Sequence, residues 1–220
     1  MSIPKHILQI ALDASYISSL PLDKIKTNIL NINPGYSYTL LDDNTCIDFL
    51  KTHHSMYLDL FYQLKRAQYK SDLIRYLYTY TFGGFYVDID LLPTVGFDSL
   101  CASYGNPKAI FTLGAHTTPS GQHQELANGF YGSEANNTLF FYLVHQMLLE
   151  PNPEDYGMNV KRAFRTISFQ HSMTPYILEN NIYFLKESGA QNNKYNILGP
   201  DGKHICFSNG HGYPYITPKQ

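Results

Sequence analysis

One stretch constrains the chain more than any other: Ala67 to Pro93, AQYKSDLIRYLYTYTFGGFYVDIDLLP. It reads as a helix, a glycine stop, a short apolar strand, and two aspartates where that strand ends. Asp72 and Arg75 are three residues apart and project from one helical face. Gly83-Gly84 stops the helix, because glycine adopts the left-handed conformation a C-terminal cap needs. Phe85-Tyr86-Val87 is aromatic and β-branched and predicts a buried strand. Asp88 and Asp90 are two apart, so in extended chain they share a face, with Tyr86 on that same side. Two carboxylates on one side of so apolar a strand call for a cation or a strong donor. The helix face and the strand end are therefore expected to converge on one polar site.

Such an arrangement suits a hard divalent cation carrying a diphosphate. Mg²⁺ and Mn²⁺ prefer oxygen ligands, and their sites combine one or two carboxylates with substrate phosphates. A lone D-x-D is also common in ordinary turns. The full string is far more specific than the tripeptide.

Ser71, Asp72, Arg75, Gly83, Gly84, Tyr86, Asp88 and Asp90 fit the pattern S-D-x-x-R, about ten residues, then G-G-x-Y-x-D-x-D. This resembles the signature of GT-A glycosyltransferases of the DXD sugar-transferase group. That group includes the fungal α-mannosyltransferases of glycosyltransferase family 32 and the glucosyltransferase domains of large clostridial toxins. Ile3-Pro4-Lys5-His6-Ile7-Leu8-Gln9 is similar to the family's opening strand, and Asn33-Pro34-Gly35-Tyr36 with Tyr38 to Asp43 to its next segment. The likeness covers about the first 95 residues well and the remainder poorly. It implies a Rossmann-like, mostly parallel sheet flanked by helices. It also implies Mn²⁺ or Mg²⁺, a nucleotide-sugar donor and transfer of a hexose with retention of configuration.

The resemblance assigns roles residue by residue. Asp90 is expected to coordinate the metal, with Asp88 on the donor ribose or a metal-bound water. Asp72 and Arg75 resemble the pair that holds the donor sugar's hydroxyls; an ordinary surface ion pair would show the same spacing. Tyr86 is expected to border the donor, and Asn128, in Asn128-Gly129-Phe130, to lie in a loop facing the sugar. Gln9, Ile10 and Ala11 should border the nucleobase. The relatives carry tryptophan after the Gln where this chain has Ile10-Ala11, which leaves uridine and guanosine both open. A third metal ligand is sought in the tail, where His211 lies between glycines and His204 stands before it. The family's His…Ser-Trp tail pattern is absent. Glu125 and Asp155 are candidate acceptor-side bases. No carboxylate identifies itself as a covalent nucleophile, which is compatible with a front-face mechanism.

At 220 residues the chain is long enough for a substantial core. It reads as a single domain over 1–220, with a nucleotide-sugar and metal half at 1–95 and an acceptor-side half at 96–220. A net charge of −2 gives no electrostatic case for nucleic acid or an anionic membrane. The 19 tyrosines and 13 phenylalanines suit both packing and a sugar-lined cleft. Three widely spaced cysteines, Cys46, Cys101 and Cys206, point to reduced thiols. Neither a signal peptide nor a membrane span is read, so the expectation is a cytoplasmic enzyme, bacterial or viral. The Asn136-Asn137-Thr138 sequon is read as chance.

Strands are expected at His6 to Ala11, Tyr36 to Leu41, 85–88, Ala109 to Leu113, Leu126 to Tyr131 and Ile182 to Leu185. Helices are expected at Leu22 to Leu30, from an Asp43 cap to about Lys51, and from Ser55 to Tyr80 with a break near Lys65. Two more are expected at Asn137 to Leu149 and Tyr156 to Ile167. Pro93 and Gly96 open a loop, His116 to Gln124 reads as flexible, and the tail from Gly199 as loop and hairpin. Alternating β and α elements argue for a mostly parallel sheet, whose ligands sit beyond the carboxyl ends of the strands.

The combined expectation is metal-dependent transfer of a sugar from a UDP- or GDP-sugar to a hydroxyl of a glycan, lipid-linked or protein acceptor. A catalytically dead nucleotide-sugar or glycan-binding module is the alternative. A dehalogenase-type phosphatase also places D-x-D after a strand, but needs it near the N-terminus with Thr or Val where this chain has Leu92.

Overall fold

The computed structural model describes residues 2–118, 121–149, 181–191 and 194–208. The expected helix at Tyr156 to Ile167, Asp155 and His211 lie outside the described residues.

Strand β1 (His6–Ile10) leads through α1 (Ala14–Ser19) and α2 (Leu22–Ile32) to β2 (Ser37–Leu41). Helix α3 (Asp43–His53), a single 3-10 turn (Ser55–Tyr57), α4 (Leu58–Gln63) and α5 (Ala67–Phe82) follow, the last two separated by the expected break. Strands β3 (Gly84–Val87) and β4 (Leu91–Pro93) and helix α6 (Phe97–Ser103) come next. The remaining elements are β5 (Ala109–Thr118), β6 (Gly121–Ser133), α7 (Thr138–Leu149), β7 (Ile182–Gln191), β8 (Lys194–Leu198) and β9 (His204–Ser208).

The nine strands form one sheet in the order β2-β1-β3-β6-β5-β7-β8-β9-β4. Among the described residues β1–β2, β1–β3 and β5–β7 pair in parallel, and the other five pairings are antiparallel. The sheet is therefore mixed rather than mostly parallel. A parallel neighbour needs a crossover of a dozen residues or more. Between β5 and β6, and from β7 through β9, no helix intervenes, so those strands return antiparallel.

Three residues link Val87 of β3 to Leu91 of β4, yet these strands stand third and ninth in the sheet. The link spans at most about 14 Å, whereas six strand spacings in a flat sheet cover about 29 Å. The sheet must curl strongly, and the turn that closes it carries Asp88 and Asp90.

Helix α5 explains why this stretch dominates the sequence. Every residue from Leu73 to Thr79 is buried, so the helix runs through the interior on one side of the sheet. It packs there with Leu8, Ile10, Tyr86, Phe111, Tyr131 and Phe140. The other sheet face covers a separate core around Phe85, Val87, Phe97 and Phe130. Tyr86 thus faces α5 while its neighbours face away, as the period of two requires. The helix ends at Gly83 (φ 66°), followed by Gly84 (φ 101°). A Cβ on Gly84 would lie 2.5 Å from the His6 carbonyl oxygen, so the pair also lets the chain turn tightly against β1.

Three local expectations are corrected. The cap of α3 is Asp42, which accepts from the Thr45 amide at 2.8 Å while Thr45 Oγ1 accepts from the Asp42 amide at 2.8 Å. The adjacent Asp43 offers the same chemistry one residue too late. Within the segment His116 to Gln124, residues 116–118 of β5 pair with residues 121–123 of β6, His116 opposite His123. The loop after Gly96 contains α6. Within the tail the expected hairpin is present, His204–Ser208 pairing antiparallel with β8 across a turn at 199–203, and the same strand also pairs with β4.

Candidate active site

Arg75 sits mid-helix on α5 with its side chain 7% exposed. Burying a guanidinium requires that its donors be met, and they are. Nε donates to the Ser71 carbonyl at 3.3 Å and Nη2 to Ser71 Oγ at 2.9 Å. Nη1 donates to the Asn128 carbonyl at 2.8 Å and lies 3.2 Å from Asp88 Oδ1. Nη2 stands 3.5 Å from Asp72 Oδ1, the expected pair one helical turn away. The guanidinium carbon is 4.3 Å from the centre of the Tyr86 ring, a cation–π contact in a dry setting. Burial alone would lower the Arg75 pKa, but Tyr86, Asp88 and Asp72 around it more than reverse that and hold it charged.

Asp88 lies at the carboxyl end of β3, with its side chain 30% exposed. Tyr86, two residues earlier on the same strand face, donates its hydroxyl to Asp88 Oδ1 at 2.6 Å. Burial pushes the Tyr86 phenol well above its ordinary range, and the neighbouring Asp88 adds to that, so it stays a donor. The Asp88 amide donates to the Gly129 carbonyl at 2.7 Å, and its carbonyl accepts from Leu91 at 2.9 Å. Gln9 Nε2 donates to that same Asp88 carbonyl at 3.3 Å, and Gln9 Oε1 accepts from Tyr38 Oη at 2.8 Å.

Asn128 and Gly129 reach the site through an irregularity in β6. Opposite β5 the register passes from Tyr131 straight to Ala127, so residues 128–130 drop out of that ladder. The chain bulges there toward α5 and β3. Asn128 Nδ2 then donates to Asp72 Oδ1 and to Tyr76 Oη, both at 2.8 Å. A sequence signal did exist, since glycine inside a strand often marks a bulge. What it gave no hint of is that the bulge's carbonyls serve Arg75 and Asp88.

These groups border a cavity of about 580 Å³. Its walls include Ile10, Ala11, Leu12 and Asp13 after β1; Gln68, Ser71 and Arg75 on α5; and Tyr86, Asp88 and Asp90. The helix face and strand end converge as expected, beyond the carboxyl ends of parallel strands. Ile10, Ala11, Tyr86, Arg75, Asp88 and Asp90 all line the cavity. Gln9, Asp72 and Asn128 are not among its lining residues; they fasten the residues that are. Asp13 was missed by sequence reasoning. Its one signal was position, at the end of the first strand.

Among the described residues no three His, Cys, Asp or Glu side chains group as a metal centre. Asp88 and Asp90 nevertheless fit Mg²⁺ or Mn²⁺ by donor chemistry: two hard carboxylates lining one cavity, where substrate phosphates would complete the shell. His204, the other tail candidate, belongs to β9 and is exposed. Among the described residues no helix is long and apolar enough to cross a membrane.

The family model for the glycosyltransferase sugar-binding region containing the DXD motif matches residues 22–105, which hold α5, β3 and both aspartates. Over 185 residues the chain is 28% identical to an uncharacterized glycosyltransferase of Acanthamoeba polyphaga mimivirus, covering 81% of this chain and 67% of that protein. Over 61 residues it is 34% identical to a mannosyl phosphorylinositol ceramide synthase of Saccharomyces cerevisiae, covering 28% of this chain and 16% of that one. In fold it is similar to the PaToxG glycosyltransferase, with a TM-score of 0.51 at 16% identity over 81% of this chain and 74% of the other. The Arg75–Asp88 junction thus lies inside the matched region, and residues 22–105 of this chain carry the glycosyltransferase sugar-binding region containing the DXD motif.

Proposed function

We propose that this enzyme transfers a hexose from a nucleoside-diphosphate sugar to an acceptor hydroxyl, using a divalent cation and retaining anomeric configuration. The observation that carries the reading is the cavity lined together by Asp88, Asp90 and the α5 residues Arg75 and Ser71, with Arg75 Nη1 3.2 Å from Asp88 Oδ1. Asp88 and Asp90 would hold Mn²⁺ or Mg²⁺, which when bound supplies Lewis-acid neutralisation of the departing diphosphate.

The chain's own residues do the rest. Arg75 and Tyr86 fix Asp88 through Oδ1, so the carboxylate meets its ligand without reorganising. The Arg75 charge, held in a site with little water, also stabilises negative charge growing on the leaving group. Asp72 and Asn128 orient Arg75 and close the site behind it. The acceptor hydroxyl attacks the anomeric carbon as the bond to the β-phosphate oxygen breaks. Its proton passes to that departing oxygen, so no protein nucleophile is needed.

Nucleotide release from a panel of UDP- and GDP-sugars, with and without Mn²⁺, tests this reading. Metal-dependent release from one donor, lost in Asp90→Ala, is the expected result. Mn²⁺-dependent nucleotide binding with no release, acceptors included, would instead support a binding module. Neither binding nor release would overturn the assignment.

A further inference from the structure

We infer that Ile89, between the two aspartates, is a positioning residue for the proposed cation site. It fastens the aspartate turn to helices α1 and α2, which makes that helix pair part of the site's support. The inference rests on the cation and nucleotide-sugar reading above and extends it to what holds the carboxylates in place.

From Val87 to Leu91 the chain is shared between two cores and the cavity. Val87 and Leu91 are buried in the core around Phe85 and Phe97. Asp88 and Asp90 line the cavity. Ile89 is buried in a separate cluster with Leu20 and Ile25, against which Leu22 and Leu40 also pack. Leu20 and Leu22 flank the junction between α1 and α2, Ile25 lies in the first turn of α2, and Leu40 belongs to β2. An edge of Ile89 also completes the cavity wall.

The backbone at this point is a closed turn. The Leu91 amide donates to the Asp88 carbonyl at 2.9 Å, which leaves Ile89 and Asp90 as the two central residues. Glycine, asparagine, aspartate and serine are the usual occupants of such positions. A buried β-branched aliphatic there is accounted for by its packing. Because a peptide group is planar, holding Ile89 in a close-packed cluster also fixes the plane it shares with Asp90. Asp90 is thus bracketed by anchors in two different clusters, Ile89 and Leu91. Asp88 has a further clasp in Arg75 and Tyr86. Carboxylates set in advance spare a bound cation the entropy of ordering them.

Calorimetric binding of UDP and of GDP, without metal and in Mn²⁺, tests the inference on preparations shown by circular dichroism to be folded. The variants are Ile89→Ala, Ile89→Val, Ile25→Ala and Leu50→Ala. The readout is the ratio of the affinities with and without Mn²⁺, which a loss of stability alone does not move in folded protein. Ile89→Ala should lower that ratio about tenfold, as removing a support behind metal ligands does. Ile89→Val, one methyl smaller, should lower it less. Ile25→Ala should also lower it, although Ile25 is not among the residues lining the cavity, and combining it with Ile89→Ala should cost little more than either alone. Leu50→Ala, at a wholly buried position of α3, should leave the ratio as in wild type. An unchanged ratio in whichever Ile89 and Ile25 variants fold, or an equal fall in Leu50→Ala, would overturn the inference while leaving the transferase reading intact. If Mn²⁺ strengthens neither nucleotide in wild type, the cation reading falls and the inference with it.

Discussion

Arg75 and Asp88 are 13 positions apart in sequence and on different elements, yet the guanidinium Nη1 lies 3.2 Å from the carboxylate Oδ1. This contact joins the buried helix to the turn that closes the curled sheet. It makes the edge of the cleft proposed to bind the cation and the core of the fold one structure.

Replacing Arg75 should therefore damage stability and activity together. Arg75→Met leaves Asp72 and Asp88 without their shared cation. Breaking a buried charge pair from one side costs roughly 3–5 kcal/mol. Arg75→Lys should recover little, because an ammonium cannot reproduce the fork that reaches Ser71, Asn128 and Asp88 together. Urea denaturation and nucleotide release on the same preparations check both halves.

Tyr86→Phe separates the two roles of that ring. The face beneath Arg75 remains, while the hydrogen bond to Asp88 Oδ1 is lost. Stability should fall by only about 1 kcal/mol. Turnover should fall about tenfold, the rate effect of a similar energy lost at the transition state. A release assay beside a thermal melt reads the difference.

Gly84→Ala should be among the most destabilising single-methyl changes in the chain. Its φ of 101° is a conformation other residues avoid, and the new Cβ would press on the His6 carbonyl. The positive φ alone costs about 1–2 kcal/mol, and displacing β1 adds to it. A melting temperature unchanged from wild type would contradict the close approach.

Burial holds His6 below its ordinary pKa, and burial with repulsion from His53 does so for His54. Unfolded, each would take up a proton near about pH 6.5. Over that window the unfolded chain binds more protons than the folded one, so stability rises with pH. The contribution is present above the unfolded pKa and is lost as pH falls through the folded values. Melting temperatures from about pH 7.5 down to about pH 5 should fall, and less steeply in His6→Gln than in wild type.

The parts of this site legible in sequence were the local ones. Arg75, Tyr86, Asp88 and Asp90 lie within one helix-stop-strand unit, where helical and strand periodicities fix the faces. The path of β6 was not legible in the same way. Its antiparallel place between β3 and β5 follows from pairing across the sheet, which alternation of elements does not encode. The bulge at 128–130, which meets Arg75 and Asp88, depends on that pairing. Gln9 marks a further limit. Its position near the end of β1 suggested a cleft residue, but strand alternation turns it inward, where it braces the Asp88 backbone. Strand β4 was too short to show a period and exists because β9 pairs with it.

The most direct test of the central claim is Mn²⁺-dependent nucleotide binding in wild type, Asp90→Asn and Asp88→Asn, measured by calorimetry on preparations shown by circular dichroism to be folded. The account predicts that Mn²⁺ strengthens binding in wild type and that either substitution abolishes the strengthening. Retention of the full metal effect in both folded variants would contradict it, and would move the donor site away from the strand end that Arg75 holds.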